Sequence, residues 1–71
     1  MIYCANNNRL YPRAADVCKD LNLDKGLVSR VLAGKQVKAG VYLIEEVTDT
    51  SPEALETVRR WMLYNVYKIV L

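Results

Sequence analysis

Ala14, Val17, Cys18 and Leu21 recur at i, i+3, i+4 and i+7, and Val28, Val31 and Leu32 resume the same spacing after a short polar break. Positions three and four apart share one face of an α-helix, so the pattern predicts two short amphipathic helices, each burying one stripe. The joint between them is Asn22-Leu23-Asp24. Asn tolerates the left-handed backbone that ends a helix, Leu23 can turn inward, and Asp24 suits the N-cap of the next helix. Gly34, favoured just past a helix end, closes the second helix. Two helices held this closely in sequence must pack across their turn, and the rest of a small chain has to fit around them.

If the second helix starts at Lys25 and buries Val28, Val31 and Leu32, its outward side carries Gly26, Ser29 and Arg30, with Lys25 one turn before Ser29. That face is small, polar and cationic. A helix with such a face can approach base edges in the major groove, where Arg is the commonest two-pronged partner of guanine and Ser can donate or accept. Asp16-Val17 followed by Val28-Ser29-Arg30-Val31 resembles the helix-turn-helix of lactose-repressor-type headpieces, over Asp16 to Gly34. Cys18 and Asn22 stand where such motifs usually carry Ala and Gly. Cys acts as a small hydrophobe, and Asn can occupy the left-handed region.

A longer likeness runs from Ile2 to Ile44. The order Ile2-Tyr3-Cys4, Asn6-Asn7-Asn8, Leu10-Tyr11, Ala14-Ala15, Val28-Ser29-Arg30, Gly34-Lys35 and Lys38-Ala39-Gly40-Val41-Tyr42 is similar to the nuclease-associated modular DNA-binding domain found in tails of intron-encoded homing endonucleases. That resemblance implies a module that grips DNA beside a catalytic domain, with a strand pair before the two helices and one strand after them. Family members often have a hydroxyl residue capping the first helix where this chain has Arg13. Pro12 suits the first helical position instead, where its missing N–H is of no consequence.

Charge is distributed unevenly along the 71 residues. Residues 1–40 hold seven Lys and Arg against three Asp, whereas residues 41–71 hold three against five acids. Lys25, Arg30, Lys35 and Lys38 follow one another with no acid between them. Phosphate attraction would act on that segment. Lys35, Gln36 and Lys38 lie between Gly34 and Gly40 and are expected to form a wing whose cations meet backbone phosphates without reading sequence. A plain solvated basic loop is the alternative.

The flanks complete the expected fold. Ile2-Tyr3-Cys4 and Arg9-Leu10-Tyr11 are strand-forming segments around an Asn-rich turn, giving a hairpin over residues 1–11. This hairpin is expected to cover the helix pair, with Arg9 within possible reach of phosphate. Val41-Tyr42-Leu43-Ile44 reads as a strand joining it in a three-stranded sheet. Ser51, Pro52 and Glu53 are N-cap, first-turn and dipole-matched residues for a long helix over 51–70. The expectation is one α+β domain of winged helix-turn-helix type, in the order β-β-α-α-β-α.

Leu55, Val58, Met62, Val66 and Ile69 give that last helix an apolar stripe, which Trp61, Tyr64, Tyr67 and Val70 widen. A domain this small has little core to absorb it. Either the whole helix packs internally, or Trp61, Met62, Val66 and Ile69 form a homodimer interface presenting two recognition helices to a two-fold site.

A hydrophobic share of 52% separates the chain from disordered tails. No run of about 18 or more apolar residues could span a bilayer. Ile2-Tyr3-Cys4-Ala5-Asn6 has neither a basic start nor a sustained apolar core, so no secretory leader and a cytoplasmic address are expected. Two cysteines and no His leave no convincing zinc set, and Cys4 and Cys18 are expected as buried thiols. Without a phosphate-binding Gly loop or a nucleophile-base pair, neither catalysis nor a cofactor is expected. Double-stranded DNA is the expected partner, for a small transcriptional regulator or a DNA-tethering module. Two other roles stay open: a protein-interaction adaptor working through the last helix, and a DNA-binding tail severed from a nuclease.

Overall fold

A three-residue strand, β1 (Ile2–Cys4), lies at the centre of the computed structural model, which describes residues 1–70. It pairs antiparallel with β2 (Arg9–Tyr11) on one side and β3 (Ile44–Glu46) on the other, so the sheet order is β2-β1-β3. Successive strand residues point to opposite faces. Ile2 and Cys4 therefore join Tyr11 and Ile44 in a core with Val17, Val28, Val31 and Ala39, while Tyr3 points the other way into a core with Ala5, Leu43, Val47 and Met62. The helix pair α1 (Ala14–Leu21) and α2 (Lys25–Leu32) covers the first face, and α3 (Pro52–Tyr67) covers the second. The element order is β-β-α-α-β-α, an α+β fold with a long C-terminal helix.

Side-chain hydrogen bonds fix the hairpin loop. Asn8 takes a left-handed backbone with φ 57°, and its Oδ1 accepts from the Tyr3 hydroxyl at 2.6 Å. The Tyr11 hydroxyl accepts from Asn7 Nδ2 at 2.9 Å and donates to the Asp20 carboxylate, tying the loop to α1. Burial, and then that bond to Asp20, push the Tyr11 hydroxyl above its ordinary pKa.

Helix α1 begins at Ala14 with Arg13 as its N-cap, so Pro12 stands before the helix rather than as its first residue. The Asp16 carboxylate explains the start. It accepts the Arg13 backbone N–H at 3.2 Å and pairs with the guanidinium at 3.2 Å, satisfying an N-terminal donor without a hydroxyl cap. The bond from the Arg13 side chain holds the Asp16 carboxyl below its usual pKa range.

The third strand is displaced from its expected place at Val41–Ile44. Gly40, with φ 63°, and Val41 are the central residues of a tight turn closed by Ala39 N–H to Tyr42 O at 2.9 Å and Tyr42 N–H to Ala39 O at 3.0 Å. A positive φ at the first central position matches the twist of hairpin turns. Beyond it, Asn6 acts as a substitute strand: its Oδ1 accepts Leu43 N–H at 2.8 Å and its Nδ2 donates to Val41 O at 3.0 Å. Strand pairing therefore begins at Ile44, with one backbone bond before it from Ala5 N–H to Leu43 O at 2.9 Å. Strand propensity in Val41-Tyr42 yields to these specific contacts, leaving Val41 66% exposed.

Helix α3 is capped by Ser51, whose Oγ accepts Ala54 N–H at 3.3 Å. It ends at Tyr67 instead of continuing to residue 70, because Lys68 turns left-handed at φ 59° while its N–H bonds to Tyr64 O at 2.9 Å. The four residues expected at a dimer interface are divided. Met62 is 5% exposed and belongs to the core with Tyr3 and Leu43, and Val66 is half-buried against the same cluster. Trp61 faces outward, and the exposed Ile69 lies past the helix end. Met62 and Val66 turn inward because the sheet has a second apolar face, which α3 covers. Among the described residues no helix is long and apolar enough to cross a membrane.

Leu43 is 1% exposed at the centre of that second core. Leu43→Ala should lower unfolding free energy by about 2–5 kcal/mol, measured by urea denaturation. That is a large share of the roughly 4–10 kcal/mol available to a domain this size. A loss below about 1 kcal/mol would mean that α3 does not close over the sheet.

The Asp16 bond makes a pH prediction. A carboxyl whose folded pKa is depressed contributes stability above its unfolded pKa, and loses it as pH falls through the folded value. The stability gap between the native chain and Asp16→Asn should therefore be full at neutral pH and narrow below about pH 4. A gap independent of pH would remove the ionised carboxylate from the cap.

Candidate nucleic-acid interface

The turn before α2 forms as its residues dictate. Asn22 is left-handed (φ 54°, ψ 50°), and Leu23 donates its N–H to Cys18 O at 3.0 Å. The Asp24 carboxylate accepts Leu27 N–H at 3.2 Å, which occupies it with the helix N-terminus. Val28 and Val31 are then buried, and Lys25, Gly26, Ser29 and Arg30 are all exposed on the opposite side.

The end of α2 sets the direction of the next segment. Gly34 has φ 79°, its N–H bonds to Val31 O at 3.1 Å, and Lys35 N–H bonds to Arg30 O at 3.0 Å. This paired closure through a left-handed Gly reverses the chain at the helix end. Gln36 consequently comes back beside Arg30, accepting from its Nε at 3.4 Å while donating from Nε2 to Lys38 O at 3.1 Å. The turn at Ala39–Tyr42 rests on the helix joint, since a side chain at Gly40 would meet Leu23 at 3.6 Å.

Six of the seven residues expected at the interface are exposed around α2 and the loop that follows: Lys25, Gly26, Ser29, Arg30, Lys35 and Gln36. Lys38 differs. It is half-buried, and its ammonium lies 5.4 Å from the centroid of the Tyr67 ring. Tyr67 in turn donates its hydroxyl to Val41 O at 3.3 Å. Sequence reasoning gave Tyr67 a share in the apolar surface of α3, with base stacking by its Trp and Tyr set as the alternative. No local pattern links it to a lysine so distant in the chain. Asn6 is likewise more than a turn former, because both ends of its amide hold the loop that leads to β3.

The fold also sorts the cations. Arg9 pairs with Asp20 at 3.5 Å and Arg13 with Asp16 at 3.2 Å, so two acids of α1 offset the cations beside them. Among the described residues, no carboxylate stands within salt-bridge range of Lys25, Arg30, Lys35 or Lys38. Lys19 on α1, Arg59 on α3 and Lys68 beyond it also have no such partner among the described residues, so α2 and its following loop carry four of seven unpaired cations. Beside that loop, towards α3, lies a groove of about 330 Å³ with Val37, Trp61, Asn65 and Val66 among its lining residues. Compared with protein-family models, with curated proteins and with solved structures, the chain finds no match.

Proposed function

We propose that this chain binds double-stranded DNA, with the outward face of α2 in the major groove and the loop from Lys35 to Lys38 on the adjoining backbone. The observation that carries the reading is the segregation of charge. Arg9 and Arg13 are offset by neighbouring acids, and of the seven cations with no acid partner among the described residues four, Lys25, Arg30, Lys35 and Lys38, lie on α2 and the loop after it, the others being Lys19, Arg59 and Lys68. A surface that retains four such cations on one helix and its adjacent loop suits a partner with regularly spaced negative charge. Gly26 and Ser29 add the second requirement, since small outward residues let a helix axis come close to base edges.

The likeness to nuclease-associated DNA-binding modules supports the same role, that of a small regulator or a tether for another activity. The loop residues have distinct parts. Lys35 is exposed at the reversal after α2 and meets phosphate, while Lys38 is partly engaged by Tyr67 and contributes less.

Affinity for mixed-sequence duplex DNA should fall steeply between low and moderate salt, each phosphate contact adding about 0.9 to the log–log slope. Lys35→Ala should weaken binding equally for all sequences and flatten the slope by about that amount. Lys38→Ala should flatten it less, and Arg9→Ala, removing a cation already paired with Asp20, should leave it nearly unchanged. Fluorescence anisotropy across a salt series measures all three. Absence of duplex binding at low salt, or an Arg9→Ala effect equal to that of Lys35→Ala, would refute the assignment.

A further inference from the structure

Arg30 is held by one residue outside its helix and passes over a position without a side chain. Its Nε donates to Gln36 Oε1 at 3.4 Å, and a methyl added at Gly26 would stand 3.4 Å from its Nη1 and 3.1 Å from Asp24 Oδ2, so the Asp24 carboxylate lies on the same side without forming a salt bridge. Gln36 cannot swing freely, because its Nε2 is committed to Lys38 O at 3.1 Å, which fixes Oε1 toward Arg30. Helix side chains lean toward the N-terminus, so Arg30 passes over the position four residues earlier. Gly26 leaves that path open.

A guanidinium has five N–H donors in a rigid planar fork. Engaging Nε with Gln36 leaves the two Nη groups, side by side at the tip, to address a pair of acceptors. A guanine edge offers such a pair in the major groove, N7 and O6, and a backbone phosphate offers another. Arg30 shares the outward face with Gly26 and Ser29, rather than lying in the loop where Lys35 is placed for the backbone. We infer that Gln36 is a positioning residue that presents the Nη pair of Arg30 to a guanine, making the Arg30–Gln36 couple the determinant of base preference. This rests on the DNA-binding reading given above and adds to it a specific base and a residue that orients the reader.

The test uses the full chain. Preferred duplexes are selected from a pool with randomised positions, and binding is then compared with guanine, adenine or 7-deazaguanine, which lacks N7, at the preferred position. The unmodified protein should favour guanine by about 10–100-fold and lose much of that preference with 7-deazaguanine. Gln36→Leu keeps an aliphatic side chain but removes the acceptor, and should reduce the preference about tenfold with the salt slope unchanged. Gln36→Glu retains an acceptor for Nε and should keep the preference while weakening binding to every sequence. Arg30→Lys keeps a point charge without the fork, and should abolish the preference. The inference is overturned if Gln36→Leu leaves the preference intact, if 7-deazaguanine binds as well as guanine, or if Arg30→Lys still discriminates. Steeply salt-dependent binding with no base preference would overturn it while leaving DNA binding in place, and no duplex binding would overturn both.

Discussion

Burial of β1 on both faces is the constraint around which the molecule is arranged. Ile2 and Cys4 enter one core and Tyr3 the other, and all three are nearly inaccessible. A lone short strand pair is marginal in water, and a sheet needs packing to persist. Here the three-stranded sheet acquires a helical layer on each side. The helix pair can hold its geometry because Val17, Val28 and Val31 rest on one side of the sheet, while α3 prevents the other side from being exposed. A chain of this size gains two small cores from one central element.

The helix pair is legible in the sequence because its determinants are local. Three- and four-residue spacing gives the buried faces, while Asn22, Asp24 and Gly34 supply the joint and the ends. The position of β3 is not legible, because it is decided by Asn6, an amide distant in the chain that the fold brings against this segment, and not by the β-branched run itself. The role of α3 is hidden for a related reason. The part of its apolar face formed by Leu55, Val58, Met62 and Val66 is absorbed by Tyr3, Leu10 and Leu43, a fact that depends on register, while Trp61 and Tyr64 stay exposed.

The candidate site divides in the same way. Lys25, Gly26, Ser29 and Arg30 follow from helical periodicity, since burying Val28 and Val31 leaves them outward. That Arg9 and Arg13 would be offset by Asp20 and Asp16 could not be obtained from a charge count. The Arg13–Asp16 pair is within reach of sequence reasoning, as an i, i+3 pair at a helix start. The Arg9–Asp20 pair needs the hairpin to be docked on α1, which the Tyr11 hydroxyl accomplishes from the same strand. Net charge is a property of composition, whereas uncompensated charge is a property of the fold.

The loop after α2 illustrates how contacts of different strength divide the task of ordering a segment. Its beginning is fixed by the backbone closure at Gly34 and its end by the buried Ala39 and the turn at Gly40. These remove most of the conformational freedom of the segment between them, a term of about 1–2 kcal/mol per residue. The Lys38–Tyr67 contact is weaker, about 0.5–1 kcal/mol for a cation over an exposed ring. It is too small to order the loop by itself. Its effect is to select the direction of one side chain in a loop already ordered. Because Tyr67 also donates to Val41 O, the last turn of α3 touches the loop at both the lysine and the hairpin tip. The layer that closes the second core thereby extends to the edge of the cationic surface, so packing on one side of the sheet and side-chain placement on the other belong to the same framework.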